Sequence, residues 1–176
     1  MPERWKPNVT VAVVAGRVRG SAASGRAEAR PIEYLLVEEE TAEGLRLNNP
    51  AGHLDPGESP VDAAVRETLE ETARVFVPER FLGLYLTRFD RMAAGLDLTY
   101  LRVAFAGSVG EADPARRLDD GIVRTLWLTL DELRACRERH RSSLVLRCVE
   151  DAEAGRSLPL EAIYTDPTVH APAAPR

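Results

Sequence analysis

The stretch GHLDPGESPVDAAVRETLEETAR, Gly52 to Arg74, decides how this chain is read. Five residues separate Gly52 from Glu58, seven more lead to Arg66-Glu67, and Glu70-Glu71 follow after two. A helix turns once in about 3.6 residues, so Glu67, Glu70 and Glu71 project from one face. Like charges at that spacing destabilise an isolated helix by a few tenths of a kcal/mol per pair. Hard divalent cations, which bind carboxylate oxygens and bridge to substrate phosphates, offset such repulsion. The pattern therefore points to a metal site for phosphate chemistry.

The helix that carries these residues has clear start signals. Ser59 suits the N-cap, Pro60 the first turn, and Asp62 stands at N3, close to a capping box. Wound at 100° per residue, Val61, Ala64, Val65, Thr68, Leu69 and Thr72 fall on one side and the three glutamates roughly opposite. The expectation is one face in the core and an acidic face lining a cleft.

The spacing resembles the signature of Nudix hydrolases, G-x5-E-x7-R-E-U-x-E-E-x-G-U, with U a bulky apolar residue. Gly52, Glu58, Arg66, Glu67, Glu70 and Glu71 are in register, whereas Thr68 and Arg74 replace apolar positions and Ala73 replaces the glycine. Alanine enters the left-handed C′ conformation less readily than glycine, so the helix end is expected to differ. WKPNVTVAVVA, NNPAGHLDPGES and SSLVLRCVEDAEAGRSLPLEAI resemble the NudJ-type branch, and the resemblance runs over roughly residues 5–163. Leu47 stands where that branch usually has a tryptophan.

The resemblance implies an α/β fold, the Nudix-type α/β/α sandwich with a mixed central sheet, formed as one domain over residues 1–163. It implies hydrolysis of a phosphoanhydride in a small organic di- or triphosphate: a nucleoside di- or triphosphate, or the thiamine-pyrimidine pyrophosphate. Rivals are another Nudix specificity, such as ADP-ribose or an oxidised nucleotide, and a non-catalytic Nudix-fold nucleotide sensor. Retention of all four glutamates and Arg66 argues against the sensor. By the same analogy Glu70 and Glu71 hold Mg²⁺ or Mn²⁺ with a backbone carbonyl near Gly52. Glu67 is a further ligand or the base that activates water, Arg66 holds Glu67, and Glu58 braces the box or completes a second metal site. Nudix proteins are often homodimers, and no residue here demands it.

Each of these residues has a plainer alternative. Glu70 and Arg74 at i, i+4 would form an exposed ion pair worth about 0.3–0.5 kcal/mol, and only the complete pattern outweighs that reading. His53 is equally a substrate-phosphate contact or a structural loop histidine. Asp119-Asp120 reads as a solvated turn in preference to an extra acidic ligand. Arg102, Arg88 and Tyr100 lie on strands that approach the cleft. There arginine suits phosphate and tyrosine suits stacking. Trp127 reads as core.

Composition sets bounds. At 176 residues, with 44% hydrophobic and 29% charged residues, the chain is long enough to bury a substantial core. A net charge of -5 argues against general binding of nucleic-acid polymers. Cys136 and Cys148 suggest neither a disulfide framework nor a zinc site, and fit small buried hydrophobes in a reducing cytoplasm. The apolar run Val9–Ala15 is too short and wrongly flanked for a signal peptide, and no stretch nears the roughly 20 apolar residues of a membrane span.

Strands are expected at Val9–Val18, Glu33–Glu39, Leu45–Leu47, Phe81–Phe89, Leu98–Val109 and Thr125–Leu128. Residues 20–30 read as a mobile loop, and Ala94-Gly95 as the turn between two strands. Thr129-x-x-Glu132 opens a second helix, and a third runs from about Ser143 to Ala154 with Gly155 at its end. The tail, residues 164–176, reads as disordered.

Overall fold

The computed structural model describes residues 5–20, 31–91 and 96–170. Residues 21–30 of the expected loop and the Ala94-Gly95 turn lie outside the described residues. The elements are β1 (Asn8–Val18), β2 (Ile32–Thr41), β3 (Gly44–Asn48), β4 (Ala51–His53), α1 (Pro60–Thr72), β5 (Phe76–Arg91), β6 (Leu96–Val109), β7 (Ile122–Thr129), α2 (Leu130–Ala135), α3 (Leu144–Glu153) and β8 (Leu158–Pro159).

One mixed sheet runs β3-β2-β1-β6-β5-β8, with β4 added on β1 and β7 on β2. The β1–β6 pair is parallel and the other ladders are antiparallel. β1 pairs with β2 only at Gly16–Val18, while its earlier residues Thr10–Ala12 pair with β4. The sheet thus splits where β2 leaves β1, and β4 enters the gap carrying Gly52.

Side-chain alternation along the strands divides the core between two faces. Val11, Val13, Leu35, Val103 and Phe105 point to the α1 side, with Ala63, Ala64, Phe76 and Phe81. Val14, Tyr34, Leu36 and Ala104 point the other way, against Leu133 of α2 and Val145, Cys148 and Val149 of α3. Helices cover both faces, which is the α/β/α sandwich expected from the resemblance. Burying a single large aliphatic side chain there stabilises by about 1.5–3 kcal/mol, so these two layers dominate the fold.

The helix starts follow their sequence signals. Ser59 Oγ accepts from Asp62 N at 3.0 Å while Ser59 N donates to Asp62 Oδ2 at 3.3 Å. Thr129 and Glu132 form the same reciprocal box before α2. Gly155 follows α3 at φ +67. Leu47 is fully buried, so the aliphatic side chain occupies core rather than leaving a vacant aromatic position.

The structure adds to the sequence reading in three places. Phe76–Arg80 continues β5 well before Phe81, paired with the end of β6. The short strand β4 has no alternating pattern of its own and forms because β1 offers a free edge. Within the expected disordered tail, Pro167–His170 forms a 3-10 turn. Asp166 Oδ1 accepts from Thr168 N at 2.9 Å, and His170 Nδ1 lies 3.1 Å from the Gly57 carbonyl.

Candidate active site

α1 divides only in part as its helical wheel indicates. Its buried residues are Ala63, Ala64, Glu67, Thr68, Glu71 and Thr72, so two of the three glutamates sit on the packed side. Val65 and Leu69 are only half-buried. Thr68 and Thr72 tolerate burial because their hydroxyls donate to the Ala64 and Thr68 carbonyls at 2.7 and 2.6 Å. The apolar side packs as the wheel indicates, with Val61 and Val65 against the core, but β4 also lies against α1 and buries two residues of its acidic side.

Gly52 explains how that contact is possible. A Cβ at this position would meet Glu67 Cδ and Oε1 at 2.1 Å, so the carboxyl occupies the volume a side chain would need. One residue earlier, Ala51 N donates to Glu71 Oε2 at 2.8 Å. β4 therefore fixes both buried carboxyls through a missing side chain and a backbone amide.

Arg66 ties the cluster together. Its Nε and Nη2 form a fork on Glu58 at 3.0 and 2.7 Å, and Nη1 donates to Glu67 Oε1 at 2.7 Å and Glu70 Oε2 at 2.9 Å. Nη2 also reaches the His53 carbonyl at 3.0 Å. Glu58 is further held by Asp55 N at 2.7 Å. Charge-assisted forks of this kind are both strong and directional. Arg66 holds the Glu58 carboxyl below the usual carboxylate range, and the carboxylates raise the Arg66 pKa in turn.

Burial pushes Glu71 up to about 8, and neighbouring Glu67, Glu39 and Asp119 add to that rise against the Ala51 hydrogen bond. Burial likewise raises Glu67, partly countered by Arg66. Two buried, under-compensated carboxyls beside a half-buried third, Glu70, are the donor chemistry that suits a hard divalent cation. Among the described residues, no three His, Cys, Asp or Glu side chains converge at coordination distance. Arg66 stands between Glu67 and Glu70 instead, so holding a cation requires one of them to turn away from it.

The departures from the signature have local reasons. Ala73 caps α1 in the left-handed region at φ 55, ψ 27, with its N–H on the Leu69 carbonyl at 3.0 Å. Arg74 does not pair with Glu70. Its guanidinium lies 5.5 Å from the Trp127 ring centroid and donates to the Gly110 carbonyl at 2.7 Å. Arg17 lies 4.0 Å from the same ring, and Trp127 packs on the core as expected.

A cleft of about 640 Å³ opens beside Gly52 and includes His53, Arg88, Tyr100 and Arg102 in its lining. The His53 and Tyr100 rings stand 6.2 Å apart, and Phe89 meets Tyr100 edge-on at 5.6 Å. Arg88 is exposed, whereas Arg102 is buried, with Asn49 and Asn48 Oδ1 at 3.5 and 3.4 Å. Burial lowers the Arg102 pKa. The structure thus brings together all four residues expected to face substrate. Asp119 is exposed, yet its N–H donates to the Glu70 carbonyl at 3.0 Å and its charge is felt at Glu67 and Glu71. Glu39, Arg46 and Arg141 also line the cleft. No motif marks them, and only their strand and loop positions reveal them.

The NUDIX domain profile matches residues 21–147. The chain belongs to the Nudix family and is one of its pyrophosphohydrolases. It is 33% identical over 160 residues to Phosphatase NudJ of Escherichia coli (strain K12), covering 90% of this chain and 92% of that protein. A NUDIX hydrolase from Nitrosomonas europaea superposes at TM-score 0.75 with 43% identity, over 92% of this chain and 98% of that one. The NUDIX domain of Shewanella oneidensis NrtR, solved with ADP ribose, shares the fold at TM-score 0.61 and 16% identity, over 86% of this chain and 90% of that one.

Proposed function

We propose that the protein hydrolyses a phosphoanhydride bond in a nucleoside di- or triphosphate, or in the thiamine-pyrimidine pyrophosphate, with Mg²⁺ or Mn²⁺. Glu70, Glu71 and the Gly52 carbonyl would hold the cation, with Glu67 either a further ligand or the base that activates water. When bound, the cation lowers the pKa of water and neutralises charge on phosphate oxygens. The observation that carries this reading is the seating of the Glu67 carboxyl on Gly52, at the edge of a cleft that also contains Arg102.

The chain's own residues supply the rest. Arg66 orients Glu67 through the 2.7 Å bond to Oε1, and in the base role the other oxygen would take a proton from water. Arg88 and Arg102 offer positive charge to phosphate oxygens, and His53 offers an imidazole at the mouth of the cleft. Tyr100 and Phe89 offer ring faces to the organic group. Among the described residues no helix is long and apolar enough to cross a membrane.

The test is phosphate and pyrophosphate release over nucleoside di- and triphosphates, ADP-ribose and thiamine-pathway pyrophosphates, with Mg²⁺, with Mn²⁺ and with EDTA. Turnover that needs the cation and favours nucleotides or the thiamine pyrimidine supports the proposal. A clear preference for ADP-ribose would assign a different specificity, and turnover in EDTA would overturn the metal.

A further inference from the structure

Glu39 lines the cleft, yet the hydrolysis described above leaves it without a role. It stands on β2 directly opposite Arg46 of β3, and its side chain is only 17% exposed. Arg141 Nη1 approaches Oε2 at 3.4 Å, whereas Oε1 is buried without a hydrogen-bond partner. Burial keeps this carboxyl above its ordinary range despite Arg141, Asn48 and Arg102 nearby. A buried acceptor without a donor is unfavourable, and in a ligand cleft it is complementary to a donor on the ligand. The terminal torsion of glutamate is broad, so rotation about it brings an oxygen toward the cleft.

The donor is not on the phosphates, because their negative charge would be repelled by the carboxyl. It belongs to the organic group, for which Tyr100 and Phe89 offer flat aromatic surfaces in the same cleft. We propose that Glu39 selects the substrate's organic group by accepting a hydrogen bond from an exocyclic amino group on a nitrogen heterocycle. This rests on the nucleotide-type reading above and adds the feature of the base that is recognised.

The test compares cytidine diphosphate with pyrimidin-2-one riboside diphosphate, and adenosine diphosphate with purine riboside diphosphate. The second member of each pair lacks the amino group and every other base N–H. Wild type with Mg²⁺ should favour the amino compound at least about tenfold in kcat/KM in one pair, the scale of a hydrogen bond to a charged acceptor. Glu39→Met, which keeps the volume and removes both oxygens, should reduce that ratio below about threefold. Glu39→Gln, which keeps one acceptor, should retain part of it. Equal turnover within both pairs, or an unchanged preference in Glu39→Met, overturns the role of Glu39 and leaves the hydrolase reading intact. Absence of turnover on all four would rule out nucleoside diphosphates as substrates. The same ratios, read from equilibrium binding of the four compounds, then decide Glu39 by the same limits.

Discussion

Gly52→Ala should separate activity from stability. The new methyl would lie 2.1 Å from Glu67 Cδ and Oε1 and 2.2 Å from Oε2. Non-bonded carbons rest at about 3.5 Å, so the carboxyl must retreat by roughly 1 Å or more. That movement breaks the 2.7 Å contact with Arg66 Nη1. A misplacement of about 1 Å in a reacting group is enough for a roughly hundredfold loss of rate, or about 2.7 kcal/mol in the barrier. Folding should suffer little, because the displaced atoms end a flexible side chain and Gly52 lies outside the left-handed region. Alanine also restricts the unfolded chain, worth about 0.4–1 kcal/mol in favour of folding. The assay is kcat and KM on the best substrate at saturating cation, beside a thermal melt. Activity within about threefold of wild type, at unchanged Tm, would refute the claim that Gly52 seats Glu67.

Arg66→Lys keeps the charge but not the fork, and should lower kcat at least about tenfold and stability by about 1–3 kcal/mol, read by kinetics and urea unfolding. Thr129 and Arg19 hold Glu132 down to about 2, so its stabilising contribution is present above its ordinary pKa and is lost as pH falls through about 2. At 44% side-chain exposure that contribution is only about 1 kcal/mol. Glu132→Gln should flatten the acid limb of a stability–pH curve by that amount, and an unaltered limb would contradict it. At Ala73, substitution by glycine should change stability by less than about 1 kcal/mol, since relief at positive φ is offset by lost burial and added chain entropy. Valine there should be destabilising by more than about 2 kcal/mol in chemical unfolding, because a β-branched residue resists that conformation.

Much of the fold was legible because its signals are local. The alternation of Val11, Val13 and Phe105 against Val14 and Ala104 writes both faces of the sheet into the strands. The Ser59 and Thr129 boxes mark the helix starts. The spacing from Gly52 to Glu71 identified the cluster, but it could not show that Glu67 and Glu71 are buried. That depends on β4 filling the gap left by β2, a tertiary event with no periodic signature. The same limit applies to Glu39 and Arg141, which reach the cleft from separate segments. Arg74 was legible as a charge but not as the partner of Trp127, whose position across the sheet only the fold supplies.

The most direct test of the carboxylate cluster is steady-state turnover by Glu71→Gln beside wild type, with Mg²⁺ on the best substrate. The amide is isosteric, can still accept from Ala51 N, and removes a charge that burial disfavours, so folding stability should be kept or improved. Glu71→Gln should be a folded protein with kcat lowered at least about a hundredfold. A folded Glu71→Gln with kcat within about threefold of wild type would contradict the central role assigned to this cluster.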